Sequence, residues 1–136
     1  MSDPFVGTWT LNPTQSAFDP NHKPAEATMT WELDADGAYL LLAEGVGAKG
    51  ERCREKPQRL CPDGVAYPVD DLPGVTSVTT RPDPNTIRAE ARREDGSLAG
   101  EGTYVVAADR RTMMASTRGF DSQLRQFTMK TMWDRA

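Results

Sequence analysis

The chain has 136 residues, the size of one ordinary domain, and a core of that size needs neither disulfide nor metal to form. Its net charge is −4, with acidic and basic residues interspersed, which argues against binding to nucleic acid or to an anionic membrane, since both want a basic surface. No apolar run approaches the ~20 residues of a membrane span. No linker, repeat or low-complexity segment divides the sequence, so residues 1–136 read as a single domain. The start, Met1-Ser2-Asp3-Pro4-Phe5-Val6-Gly7, lacks signal-peptide character and reads as cytoplasmic; a chain whose leader has been removed reads the same.

Taken in chain order, strand-length stretches alternate with turn signals. The first strand is expected at about 5–11, with Phe5, Gly7, Trp9 and Leu11 on one face. Residues 12–25 carry Pro13, Pro20 and Pro24 and read as a loop, with room for a short helical turn near 14–17. Next come strands at about 26–34, 37–45, 49–61, 65–69, 75–81, 86–93, 97–107, 111–119 and 124–135. Met29, Trp31 and Leu33 alternate with polar neighbours, as do Ile87, Ala89 and Ala91 with Arg88, Glu90 and Arg92. Between the strands lie Asp34-Ala35-Asp36-Gly37, Asp63-Gly64, Asp83-Pro84-Asn85, Asp95-Gly96 and Asp109-Arg110. Asp and Asn in such positions bond their own backbone, and Gly tolerates turn geometry. Nine or ten short strands with almost no helix predict an all-β sandwich or antiparallel barrel.

The two ends of the chain narrow that choice. Gly7 and Trp9 sit on the first strand, and Met132-Trp133-Asp134-Arg135 closes the last. If those strands are neighbours, Arg135 can lie across the Trp9 indole. This pattern resembles the calycin superfamily, which includes lipocalins and intracellular fatty-acid-binding proteins. Over nearly the full length the chain is most similar to bacterial lipocalin-like proteins of unassigned function. The matching residues are Gly7 to Asn12, Ser16, Phe18, Tyr67-Pro68-Val69 and Trp133-Asp134-Arg135. The resemblance implies a single up-and-down antiparallel β-barrel of about 8–10 strands, closed structurally by Gly7, Trp9 and Arg135. Two departures stand out. Residues 12–25 are too short and proline-rich for the two portal helices of the fatty-acid-binding branch. Where that branch grips a carboxylate with Arg-x-Tyr, this chain has Thr131 and Trp133, which donate hydrogen bonds but carry no charge.

Few constellations suggest chemistry. Cys53 and Cys61 face each other only if Pro57 tips a hairpin; if 51–61 is one interrupted strand they lie over ~20 Å apart as free thiols, and the resemblance favours that arrangement. Two cysteines and the distant His22, in a polar loop, make no zinc site, no haem ligand and no Ser-His-Asp triad, so neither a metal nor a cofactor is expected. Glycines 45, 47 and 50 open no helix and form no phosphate loop. Asp70-Asp71, Arg92-Arg93 and Arg110-Arg111 read as solvated surface.

The interior remains. Trp31, Tyr39, Tyr104, Met114, Met129, Thr131 and Trp133 are the expected ligand-binding residues, within an inward set that also holds Met29, Leu41, Ile87, Ala89 and Phe127. The alanines of 86–93, with Gly100 and Gly102, leave room that larger side chains would have filled. The favoured function is binding or carriage of a small hydrophobic or aromatic molecule by a monomer or homodimer. A cofactor-free cyclase or isomerase in the same cavity is the alternative, with Tyr104 and Glu101 as the candidate acid or base. A filled barrel used only for protein contact is the third. Thr131→Val is expected to change ligand affinity but not stability.

Overall fold

A computed structural model describes residues 3–17, 24–47, 50–54, 57–69, 72–120 and 125–136, apart from the side chains of residues 24, 25, 53 and 120. His22 and Phe18 lie outside the described residues. The described elements are all strands: β1 (Gly7–Ala17), β2 (Pro24–Leu33), β3 (Tyr39–Gly47), β4 (Arg52–Arg54), β5 (Gln58–Leu60), β6 (Ala66–Pro68), β7 (Thr76–Asp83), β8 (Thr86–Arg92), β9 (Leu98–Val106), β10 (Thr112–Phe120) and β11 (Gln126–Arg135). Pairing is antiparallel throughout, in the order β4-β3-β2-β1-β11-β10-β9-β8-β7-β6, with β5 also on β3. Among the described residues no helix is long and apolar enough to cross a membrane.

β4 and β5 are two pieces of one strand. Glu44 faces Arg54 and Leu41 faces Gln58, so both run along β3 in the same sense. Cys53 pairs with Gly45, far along β3 from Leu60 opposite Tyr39, and the Cys61 thiol is free. The sheet therefore counts as ten strands; sequence neighbours pair throughout except β5 and β6, which form its two edges, and β1 pairs with β11, the order of an up-and-down barrel. The sheet curls so that β2 and β9 meet through its interior: the Trp31 and Tyr104 rings stand edge-on at 5.0 Å.

Residues 12–17 differ from expectation. They continue β1 rather than forming a loop or helical turn, because the chain absorbs Pro13 in a register shift between Asn12 and Ala17. Proline lacks an N–H and is tolerated in a sheet at such irregularities. Ser16 replaces part of the lost ladder: its hydroxyl donates to Asn12 O at 2.7 Å and accepts from the Met132 N–H at 2.8 Å. Leu33 also departs. It shares a face with Trp31, yet it lies past the last β1–β2 pair, Gly7 with Trp31, and is 47% exposed.

Candidate functional site

Residues paired across a ladder share a face, so the register orders the interior into rows. One row is Leu11, Trp133, Met113 and Val106. The next is Thr131, Ala115, Tyr104 and Ile87. Both are filled, and with Phe5, Trp9, Trp31, Tyr39 and Leu60 they make one buried cluster. The two following rows are Met129, Thr117, Gly102, Ala89 and Thr79, then Phe127, Gly119, Gly100, Ala91 and Ser77. Across β7 to β10 these rows hold nothing larger than threonine. A cavity of about 800 Å³ lies there, bounded by Thr79, Ala89, Ala91, Gly100, Gly102, Tyr104 and Thr117 on one side and by Leu60, Cys61, Tyr67 and Val69 on the other.

The filled end is closed as the chain ends predict. Trp9 pairs with Arg135, whose guanidinium sits 4.2 Å from the indole centroid. Nε of Arg135 donates to Arg110 O at 2.7 Å, Nη1 to Val6 O at 2.9 Å and Nη2 to Pro4 O at 2.6 Å. The Trp9 indole N–H donates to Phe5 O at 3.0 Å. Gly7 has φ of +137°, and a Cβ there would come within 2.7 Å of Arg135 Nη1. A glycine is required both by the backbone and by the cation.

A second polar cluster lies where β3 and β7 approach each other. The Tyr39 hydroxyl donates to the Asp3 carboxylate, Arg81 Nη1 donates to Tyr39 Oη at 2.6 Å, and Arg81 Nη2 to Pro84 O at 2.6 Å. Burial and the hydrogen bond to Asp3 push the Tyr39 phenol well above its ordinary range, against the opposing influence of Arg81. At the cavity rim Arg59 donates to Asp34 at 3.2 Å and to the Cys61 sulfur at 3.1 Å, and lies 3.6 Å from Asp36. Nearby, Tyr67 donates to Asp63 at 2.5 Å, which lowers the Asp63 carboxyl and raises the Tyr67 phenol.

Of the expected ligand-binding residues, Tyr104 alone borders the cavity. Trp31, Tyr39, Thr131 and Trp133 are buried in the filled end. Thr131 and Trp133 satisfy each other: the Trp133 indole donates to Thr131 Oγ1 at 2.9 Å, and that hydroxyl faces Ala115 O at 3.3 Å. Thr131→Val is therefore also a stability change, since it strands a buried indole N–H. Met129 shares the row of Thr117 and Gly102 and is half-buried. Met114 is corrected. It pairs with Val105 and Met132 on the face opposite Met113, and Met113 is the fully buried one. Glu101 also borders the cavity; it alternates with Gly100 and Gly102, and its carboxylate is ion-paired with Arg118 at 3.0 Å and Arg88 at 3.6 Å. The sequence reading missed Ser77, Thr79 and Thr117, whose small hydroxyl side chains give no hydrophobic signal. The alanines and glycines beside them do signal the room.

No family model matches the sequence, and no curated protein matches it either. Solved structures do resemble it. The fluorescent protein UnaG superposes with a TM-score of 0.63 at 14% identity, covering 100% of both chains. EF1p2_mFAP2b, solved bound to DFHBI, gives 0.57 at 8% identity, covering 98% of this chain and 94% of that one. As-p18, an extracellular fatty acid binding protein, gives 0.54 at 13% identity over 98% and 97%. The fold is that of a calycin-like small β-barrel. In this barrel the Gly7–Trp9–Arg135 closure and the chain-end pairing that the resemblance implied are both present.

Proposed function

We propose that the protein binds a small apolar or aromatic molecule inside its barrel and carries or sequesters it. The carrying observation is the cavity of about 800 Å³ beside the filled end. Pockets of roughly 300–1,000 Å³ suit drug-sized ligands. Two solved neighbours support the reading by their own occupants: one was solved with DFHBI, and one is described as a fatty acid binding protein. The cavity favours this reading over a filled barrel used only for protein contact. The cyclase or isomerase alternative needs an interior acid or base, and the carboxylate of Glu101, one of its two candidates, is already ion-paired with Arg88 and Arg118. The free Cys61 thiol suits a reducing cytoplasm, which remains the proposed location.

The test is native mass spectrometry of protein purified from its natural host, followed by titration with N-phenyl-1-naphthylamine. A stoichiometric apolar passenger, or saturable fluorescence enhancement by the probe, is the expected result. Empty protein that also leaves the probe dark overturns the proposal.

A further inference from the structure

Resting on that binding reading, we infer that the cavity takes an uncharged ring compound bearing oxygen or nitrogen hydrogen-bonding groups, met by the hydroxyls of Thr79 and Thr117. Thr79 is only 4% exposed and lines the cavity. Among the described residues its hydroxyl has no hydrogen-bond partner, and the same holds for the cavity-lining hydroxyls of Ser77 and Thr117. None of the three is sealed off as a buried unpaired atom; they line the cavity wall, where an occupant can donate to them or accept from them.

Their placement describes the occupant. Thr79 and Thr117 belong to one row, on β7 and β10, with Ala89 and Gly102 between them. Three strand spacings separate them, about 14 Å. The surface between is low: a methyl group at Ala89, and at Gly102 the flank of the Tyr104 ring, whose Oη lies 3.3 Å from where a Cβ would be. A flat body fits against an aromatic ring on such a floor, with polar atoms at its edges reaching the two threonines.

Charge excludes an anion. Arg135 is committed to three carbonyls and Trp9, and Arg81 to Tyr39, Asp3 and Pro84. Arg59 at the rim is one guanidinium against the carboxylates of Asp34 and Asp36. Among the described lining residues no uncommitted cation faces a buried carboxylate, whose desolvation would then go uncompensated. Hydroxyls, which both donate and accept, suit alcohol, phenol or carbonyl groups.

The experiment uses three probes with one ring body: naphthalene, 2-naphthol and 2-naphthoate, titrated into the full chain. 2-Naphthol is expected to bind about 3- to 10-fold more tightly than naphthalene, the worth of one hydrogen bond, and 2-naphthoate more weakly than either. In Thr79→Val or Thr117→Val, the preference for 2-naphthol should fall towards parity while naphthalene affinity holds; Thr79→Ser should keep the preference. The inference is overturned if 2-naphthoate binds most tightly, or if both valine variants keep the full 2-naphthol preference. If no naphthalene probe binds and N-phenyl-1-naphthylamine stays dark as well, the binding reading itself falls, a result distinct from a mistaken polarity.

Discussion

The two halves of the interior are built on the same ladders yet end in opposite states. On β8 to β10, one pair of rows carries Met113, Val106, Ala115, Tyr104 and Ile87, and the next pair carries Thr117, Gly102, Ala89, Gly119, Gly100 and Ala91. The first pair meets side chains from β1 to β3 and excludes water. The second leaves a hole of about 800 Å³. Backbone geometry does not distinguish them; side-chain volume along each row does. In a small barrel the position of a cavity is thus written as a change from large to small residues at period two along adjacent strands.

Substitutions in the two halves should behave accordingly. The largest effect is expected at the closure: Trp9→Ala or Arg135→Ala should lower stability by about 2–5 kcal/mol, because each exposes a buried partner and Arg135 also holds three carbonyls. Denaturant unfolding reads this, and an unchanged midpoint at both sites would break the claim that this end is the structural one. A matched pair of alanines gives the direct contrast. Ala115→Leu, among filled rows at 3% exposure, should cost about 1–3 kcal/mol by overpacking. Ala91→Leu, at the cavity wall, should cost less than about 1 kcal/mol and abolish the N-phenyl-1-naphthylamine signal. Equal costs at the two positions would erase the distinction.

The smallest effect concerns pH. The Tyr39 phenol is raised on folding by burial and by its bond to Asp3, so the unfolded chain loses this proton more readily than the folded one. Its contribution is fully present below about pH 10, the ordinary tyrosine value, and is lost as pH rises from there through the folded value. Stability measured at about pH 8 and about pH 11 should therefore fall less steeply in Tyr39→Phe than in the parent. An identical slope would show that the phenol titrates normally in the folded protein.

Much of the fold was legible from local signals. Turn residues at Asp34 to Gly37, Asp95-Gly96 and Asp109-Arg110 sit where strands reverse, and strict alternation in 86–92 identified β8 with its inward Ile87 and Ala89. The closure was legible because it needs particular residue types at particular spacings. The misses share a cause. Met113 and Met114 are chemically identical neighbours, so only strand register decides which is inside. Pro13 signals a loop unless a register shift absorbs it, and nothing local announces that Ser16 will stand in for the ladder. The cavity wall was half legible: glycine and alanine imply space, but Ser77, Thr79 and Thr117 become informative only once their rows are known. The filled aromatics drew attention because aromatic content signals binding and packing equally well.

The pairing of Trp9 with Arg135 has a kinetic consequence. Most ladders here join strands adjacent in sequence, so each costs only a short loop to close, whereas β1 and β11 come from opposite ends of the chain. Loop-closure entropy makes such distant contacts slow to form. The wall from β7 to β10 is expected to assemble by successive hairpins before the ends meet, and the cation–indole contact to be among the last made. Arg135→Ala should then hasten unfolding far more than it slows folding, so the closure residues would set how long the native barrel persists rather than how quickly it appears.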